Sequence, residues 1–174
     1  MDASILVLGA LGNVGAEVVT ALHTMDFPVR AGDLFPEKIR QRFDGAAQAV
    51  AFDFGKPETF APTFEGIERA FILRPPQISD IQKYMIPAMQ AAQAAGVKHF
   101  VFLSLIGIEH NTVVPHYKVE QYLTHSGMDY TFLRCSFFMQ NLNTTHRAEI
   151  RDRDEIFIPV GKARTSFIDV RDIA

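Results

Sequence analysis

The chain of 174 residues is 48% hydrophobic and carries a net charge of −3, enough apolar material to bury one sizeable core in a single domain over residues 1–174. Its lysines and arginines are scattered, which argues against a nucleic-acid surface. No apolar run approaches the roughly 18 residues of a membrane span, the start lacks the order of a signal peptide, and a single cysteine, Cys135, excludes an internal disulfide. A reducing cytoplasm is the simplest setting.

Ser4 to Gly15 reads Ser-Ile-Leu-Val-Leu-Gly-Ala-Leu-Gly-Asn-Val-Gly. An apolar run ending in Gly9, Gly12 and Gly15, followed by Val14, Val18, Leu22 and Met25 at helical spacing, predicts a buried strand, a tight turn and a helix. The first glycine permits the turn, the middle one lets backbone approach a ligand, and the last lets helix and strand pack closely. A helix start presents unpaired N–H groups and a positive dipole end, so the favoured occupant is a pyrophosphate. Leu11, Asn13 and Val14 join the three glycines as candidate cofactor contacts. Asp33 follows a second apolar stretch, Pro28 to Gly32, where a carboxylate accepts hydrogen bonds from an adenosine ribose.

Pro36 to Arg42 predicts a short helix, and Ala47 to Phe52 a third strand. Asp53 and Phe54, just beyond it, are placed either to meet an adenine edge or, for Asp53, to cap a turn. Pro57 to Phe64 reads as at most a short helix and Arg69 to Leu73 as a fourth strand, after which Arg74 either reaches a phosphate or lies in solvent. Ser79 and Gln82 suggest a capping box for the longest helix, whose Met and Ala stripe ends at Gly96 and serves as core or as a dimer face. Lys98 to Leu103 predicts a fifth strand closed by Ser104, Pro115 to Ser126 a helix, and Asp129 to Leu133 a sixth strand. Phe138 to Leu142 suggests a helical turn, with short strands at Glu155 to Ile158 and Thr165 to Ile168. Six alternating strands and helices predict an α/β doubly wound parallel sheet, the Rossmann arrangement.

Four stretches together, Gly9 to Gly15, Ala94 to Ser104, Tyr130 to Arg134 with Phe138 to Asn141, and Phe167 to Ala174, resemble the NmrA-like group of atypical short-chain dehydrogenases. The resemblance implies a dinucleotide-binding domain for NAD(H) or NADP(H), residues 135–174 as the beginning of a substrate-side region, and a substantial C-terminal region beyond, so that the chain reads as truncated. It also sets off what is missing. Catalytic short-chain dehydrogenases place a Tyr four residues before a Lys; four before Lys118 stands Val114, and where the catalytic Ser is expected stand Leu105 and Ile106. Lys118 is left as a nicotinamide-ribose contact, and His116 as the weak candidate for a substitute acid or base. The histidines share no metal-ligand spacing, and no metal is expected.

Asp33 at the end of the second strand repels a 2′-phosphate and accepts from a 2′-hydroxyl, which favours NAD(H), although Arg74, Lys38 and Arg40 are available to offset it and leave NADP(H) possible. These readings converge on an oxidoreductase moving hydride to a small acceptor such as a quinone. The alternative is a non-catalytic dinucleotide redox sensor that binds a protein partner. Nucleotide-sugar epimerisation is disfavoured by the missing Tyr.

Overall fold

A computed structural model describes residues 4–158, 161 and 164–174. Six parallel strands form one sheet in the order β3-β2-β1-β4-β5-β6. They are β1 (Ser4–Leu8), β2 (Val29–Asp33), β3 (Gln48–Ala51), β4 (Ile67–Leu73), β5 (His99–Leu105) and β6 (Asp129–Cys135). The order reverses between β1 and β4, and ligands of such sheets lie at that switch point, beyond the carboxyl ends of the strands. The doubly wound architecture expected from the alternation of elements is thus the one observed.

Helices cover both faces because the strands are apolar on both. On one face Leu6, Leu8, Ile72, Phe100 and Phe102 pack with α3 (Phe60–Phe64), α4 (Ile81–Ala94) and α5 (Pro115–His125). On the other, Val7, Phe71 and Leu103 pack with α1 (Asn13–Thr24) and α2 (Pro36–Phe43). The Met and Ala stripe of α4 turns inward: Ile81, Met85, Ala88, Met89 and Ala92 are buried in the first core. It is therefore core and not the dimer face weighed for it.

The main strands fall within one to three residues of their predicted positions, with β5 and β6 each paired a little further, to Leu105 opposite Cys135. Three local expectations are corrected. The cap of α4 is Asp80, whose Oδ1 accepts from the Lys83 N–H at 3.0 Å, and not the Ser79 of the suggested box. Glu155 to Ile158 forms no strand, and its Phe157 is exposed. The strand at Thr165 to Ile168 shrinks to β8 (Phe167–Ile168), paired in parallel with β7 (Phe137–Phe138), a strand not expected from the residue pattern. A further short helix, α6 (Arg147–Arg153), follows the turn at Phe138 to Leu142.

The position of the cap is open to measurement. Asp80→Ala is expected to lower unfolding free energy by about 1 kcal/mol in urea titration, and Ser79→Ala to change it by less than about 0.5 kcal/mol. Equal effects would return the cap to Ser79.

Candidate functional site

The chain from β1 to α1 turns back in four residues. Gly9 takes the left-handed φ of +72°, its N–H donates to the Gly32 carbonyl of β2 at 2.9 Å, and its own carbonyl accepts from the Gly12 N–H at 3.0 Å. Gly12 is the N-cap of α1, and no side chain caps that end, so the first amides of the helix stay free for a ligand. At Gly15 an added Cβ would overlap the Gly9 carbonyl oxygen, and at Gly12 it would stand 3.3 Å from the same atom. The missing side chains keep the turn tight and its mouth open to an anion, which fits a dinucleotide pyrophosphate.

Asp33 ends β2 beside this turn. Its Oδ2 accepts from the Leu11 N–H at 3.0 Å and its Oδ1 from the Leu34 N–H at 2.8 Å. Each carboxylate oxygen has lone pairs to spare, so the two backbone bonds orient the group without exhausting it. Asp53 lies two residues beyond β3 and uses Oδ1 to hold the Gly55 N–H at 2.8 Å, which is the turn-capping role. The Phe54 side chain is buried edge-on against Phe52, with centroids 4.8 Å apart, so only its backbone is left to meet an adenine.

Three expected contacts are turned elsewhere. Arg74 directs Nη1 to the carbonyls of Pro75, Pro76 and Ile78, at 2.9, 3.1 and 2.8 Å, and so braces its own proline loop in place of reaching for a phosphate. The Ser104 hydroxyl donates to Glu120 Oε1 at 2.6 Å. Both residues are buried, and Arg134 closes the group with Nε and Nη2 on Glu120 at 3.1 and 2.7 Å. Ser104 thus spends its proton inside the protein. Lys118 lies on the outer side of α5, lining a groove with Gln82, Ile86 and Gln90 of α4, while the face of α5 turned to the sheet carries His116, Val119, Glu120 and Leu123. Lys118 is thus on the side of α5 turned away from the sheet, exposed to solvent.

His116 does face inward, ring against Phe102 with centroids 5.9 Å apart. Burial, reinforced by the nearby Arg74 cation and only partly opposed by Glu120, lowers its pKa to about 4. It is neutral near pH 7 and has no proton to give as an imidazolium. Its Nδ1 is buried without a partner, as is Arg74 Nε.

The sequence reading missed Arg42, whose Nη1 donates to the Leu11 carbonyl at 3.2 Å from 31 residues away. It also missed Glu120 and Arg134 as a pair. Glu120 carried a signal, since it repeats the His116 position one helical turn later beside Val119 and Leu123. No group of three or more His, Cys, Asp or Glu suited to a metal occurs among the described residues, and no helix among them is long and apolar enough to cross a membrane.

Residues 9–173 match the family described as NAD(P)H-binding. The chain is 34% identical over 174 residues to an NAD(P)H azoreductase of Xenophilus azovorans, covering 98% of this chain and 60% of that protein. Its fold matches the triphenylmethane reductase of Citrobacter sp., solved with NADP(H), at a TM-score of 0.81 and 22% identity, covering 98% of this chain and 62% of that one. It also matches NmrA, a negative transcriptional regulator, at a TM-score of 0.69 and 21% identity, covering 81% of this chain and 48% of that one. The chain therefore spans about 60% of the length of the azoreductase.

The neutral imidazole gives stability a pH dependence. The unfolded histidine takes a proton near its ordinary 6.5 while the folded one waits until about 4, so the unfolded state binds more protons in between. Stability from this residue is complete above pH 6.5 and is lost as pH falls toward 4. Between pH 7 and 5 the wild type is expected to lose on the order of 1 kcal/mol more than His116→Gln, solvent screening allowed for, in urea unfolding. Parallel losses would contradict the depressed pKa.

Proposed function

Because the chain belongs to the NAD(P)H-binding family, and the resemblance of its motifs to the NmrA-like group stands beside that match, we propose that it binds NAD(H) in preference to NADP(H) and passes hydride to a small acceptor such as a quinone. The observation that carries this reading is the uncapped start of α1 behind Gly9, Gly12 and Gly15, with Asp33 fixed against Leu11. The amides of Asn13, Val14 and Gly15 hold the pyrophosphate, Asp33 accepts from the adenosine ribose, and the backbone of Asp53 and Phe54 borders the adenine. The azoreductase and triphenylmethane reductase among the similar proteins support a reductase. The lone half-buried thiol, Cys135, suits a reducing cytoplasm.

The cofactor supplies the hydride. What this chain adds is position and exclusion. Ser104 is committed to Glu120, Lys118 faces away, and His116 carries no ionisable proton near neutral pH. With these three candidates so placed, the acceptor takes its proton from water, which a quinone accepts readily once reduced. The same depletion favours a second reading, a dinucleotide sensor that reports redox state to a protein partner, and NmrA, a negative transcriptional regulator, is among the structural neighbours.

Calorimetric titration and NADH oxidation separate the outcomes. The protein is expected to bind NADH, and Asp33→Ala to weaken NADH about tenfold or more, the loss typical of a hydrogen bond to a charged group, while narrowing the gap to NADPH. Absorbance should show NADH consumed with a quinone panel, and His116→Ala should retain turnover within about tenfold. Binding without turnover above the uncatalysed rate replaces the reductase reading with the sensor. Absence of binding removes both.

A further inference from the structure

Leu73, the last residue of β4, lies on the glycine turn: a Cβ added at Gly9 would meet its side chain at 3.0 Å. The loop from Arg74 to Ile78 starts at the next residue, so its path decides what stands beside the turn. Two contacts hold that path. Arg74 Nη1 faces the carbonyls of Pro75, Pro76 and Ile78, and the Ile78 N–H donates to the Pro75 carbonyl at 3.0 Å. The loop is therefore only as fixed as the guanidinium that braces it.

Strand alternation puts Arg74 beneath the first turn of α5. Ile72 and Phe102 are register partners buried in the core under α4 and α5, and two residues further on Arg74 and Ser104 continue the same face. Ser104 shows where that face leads, since its hydroxyl meets Glu120 of α5. His116 stands one helical turn before Glu120, at the end of α5 next to the loop, only 8% exposed and with its ring against Phe102. The Arg74 cation is near enough to help keep that ring neutral.

Two atoms here are buried without a partner, Arg74 Nε and His116 Nδ1. They are complementary. The Arg Nε–H can only donate, and the ring nitrogen of a neutral imidazole that carries no proton can only accept. Buried polar groups are paired as a rule, and a donor and an acceptor that face one polar space without touching are the partners a single enclosed water needs.

We propose that His116 is a positioning residue for the cofactor: through one buried water, its Nδ1 takes up the Nε–H of Arg74 and so fixes the guanidinium that braces the Arg74 to Ile78 loop beside the glycine turn. The inference rests on the dinucleotide reading given above and gives the histidine a role other than acid or base. The water accepts from Nε–H and donates to Nδ1, and the imidazole proton stays on Nε2. An imidazolium has no lone pair for that water and would repel the guanidinium, so the neutral ring is the form the arrangement requires.

The test combines amide hydrogen exchange at Ile78, calorimetric titration with NADH and a melting temperature, on the wild type, His116→Asn and His116→Phe. Asparagine offers Oδ1 in place of Nδ1; phenylalanine keeps a ring against Phe102 and offers no acceptor. His116→Phe should speed Ile78 exchange and weaken NADH, each about threefold or more, the size of one hydrogen bond, while His116→Asn stays within about twofold of the wild type in both. In an Arg74→Met background, His116→Phe should change either readout by less than about twofold, because its effect passes through the guanidinium. Should His116→Phe fail to fold, His116→Val, a smaller apolar side chain, is read in its place. A His116→Phe protein that matches the wild type overturns the assignment, as does a His116→Asn protein that behaves like His116→Phe, or an undiminished effect in the Arg74→Met background. A wild type that binds no NADH overturns it together with the dinucleotide reading, so the two failures are told apart.

Discussion

Everything in this protein that bears on a ligand depends on one close approach, that of Gly15 in the first turn of α1 to the carbonyl oxygen of Gly9 at the end of β1. Only a hydrogen atom fits between them. The approach sets how tightly the chain doubles back, and so how directly the uncapped amides of α1 face the switch point of the sheet. Gly32 serves the same end from the neighbouring strand: its carbonyl receives the Gly9 N–H, and a Cβ there would stand 2.8 Å from Leu8. β1, β2 and the start of α1 are thereby drawn into one rigid corner, and Asp33 is part of it because its carboxylate closes on Leu11.

The other end of the sheet is built on a different principle. Ser104, Glu120 and Arg134 join β5, α5 and β6 through a carboxylate that is buried and satisfied on both oxygens. Arg134 extends the group to Glu109 at 3.4 Å on the loop after β5. Such a network orders the strand ends, and removing one member would strand the others without partners. It also draws polar groups inward that a proton-transferring site would need facing out. His116 follows the same logic: by sitting against Phe102 it gains packing and gives up the charge that would make it an acid.

Much of the fold was legible because it is written in short-range patterns. The apolar run at Ile5 to Leu8, the three glycines and the Met and Ala spacing of α4 each point to one answer. The cap of α4 was misplaced by one residue because Ser79 and Asp80 are both good caps, and only the path of the incoming chain chooses between them. The two-residue strands β7 and β8 are too short to carry a period, and their pairing joins residues some thirty positions apart. In the site, residue types were readable and directions were not. Lys118 and His116 differ by two positions on one helix, which places them on opposite faces, and the helix packing that turned His116 inward is decided by Val119 and Leu123. Arg42 reaches Leu11 across 31 residues of sequence, a distance that no local pattern reports.

The segment beyond β6 is pinned at both ends. β7 pairs with β8, the Ser136 hydroxyl donates to the Ser166 carbonyl at 2.7 Å, and Gln140 Oε1 accepts from the Val170 N–H at 3.1 Å. The Phe138 to Asn141 stretch and the stretch from Phe167 onward, read separately as two motifs, are thus the two halves of one clasp. The described residues between them, α6 included, add no strand to the sheet. Loop-closure entropy grows so slowly with length that doubling such a segment costs only about 0.6 kcal/mol. The clasp thus makes this the place where the chain can lengthen, shorten or change its side chains without disturbing the sheet or the nucleotide corner.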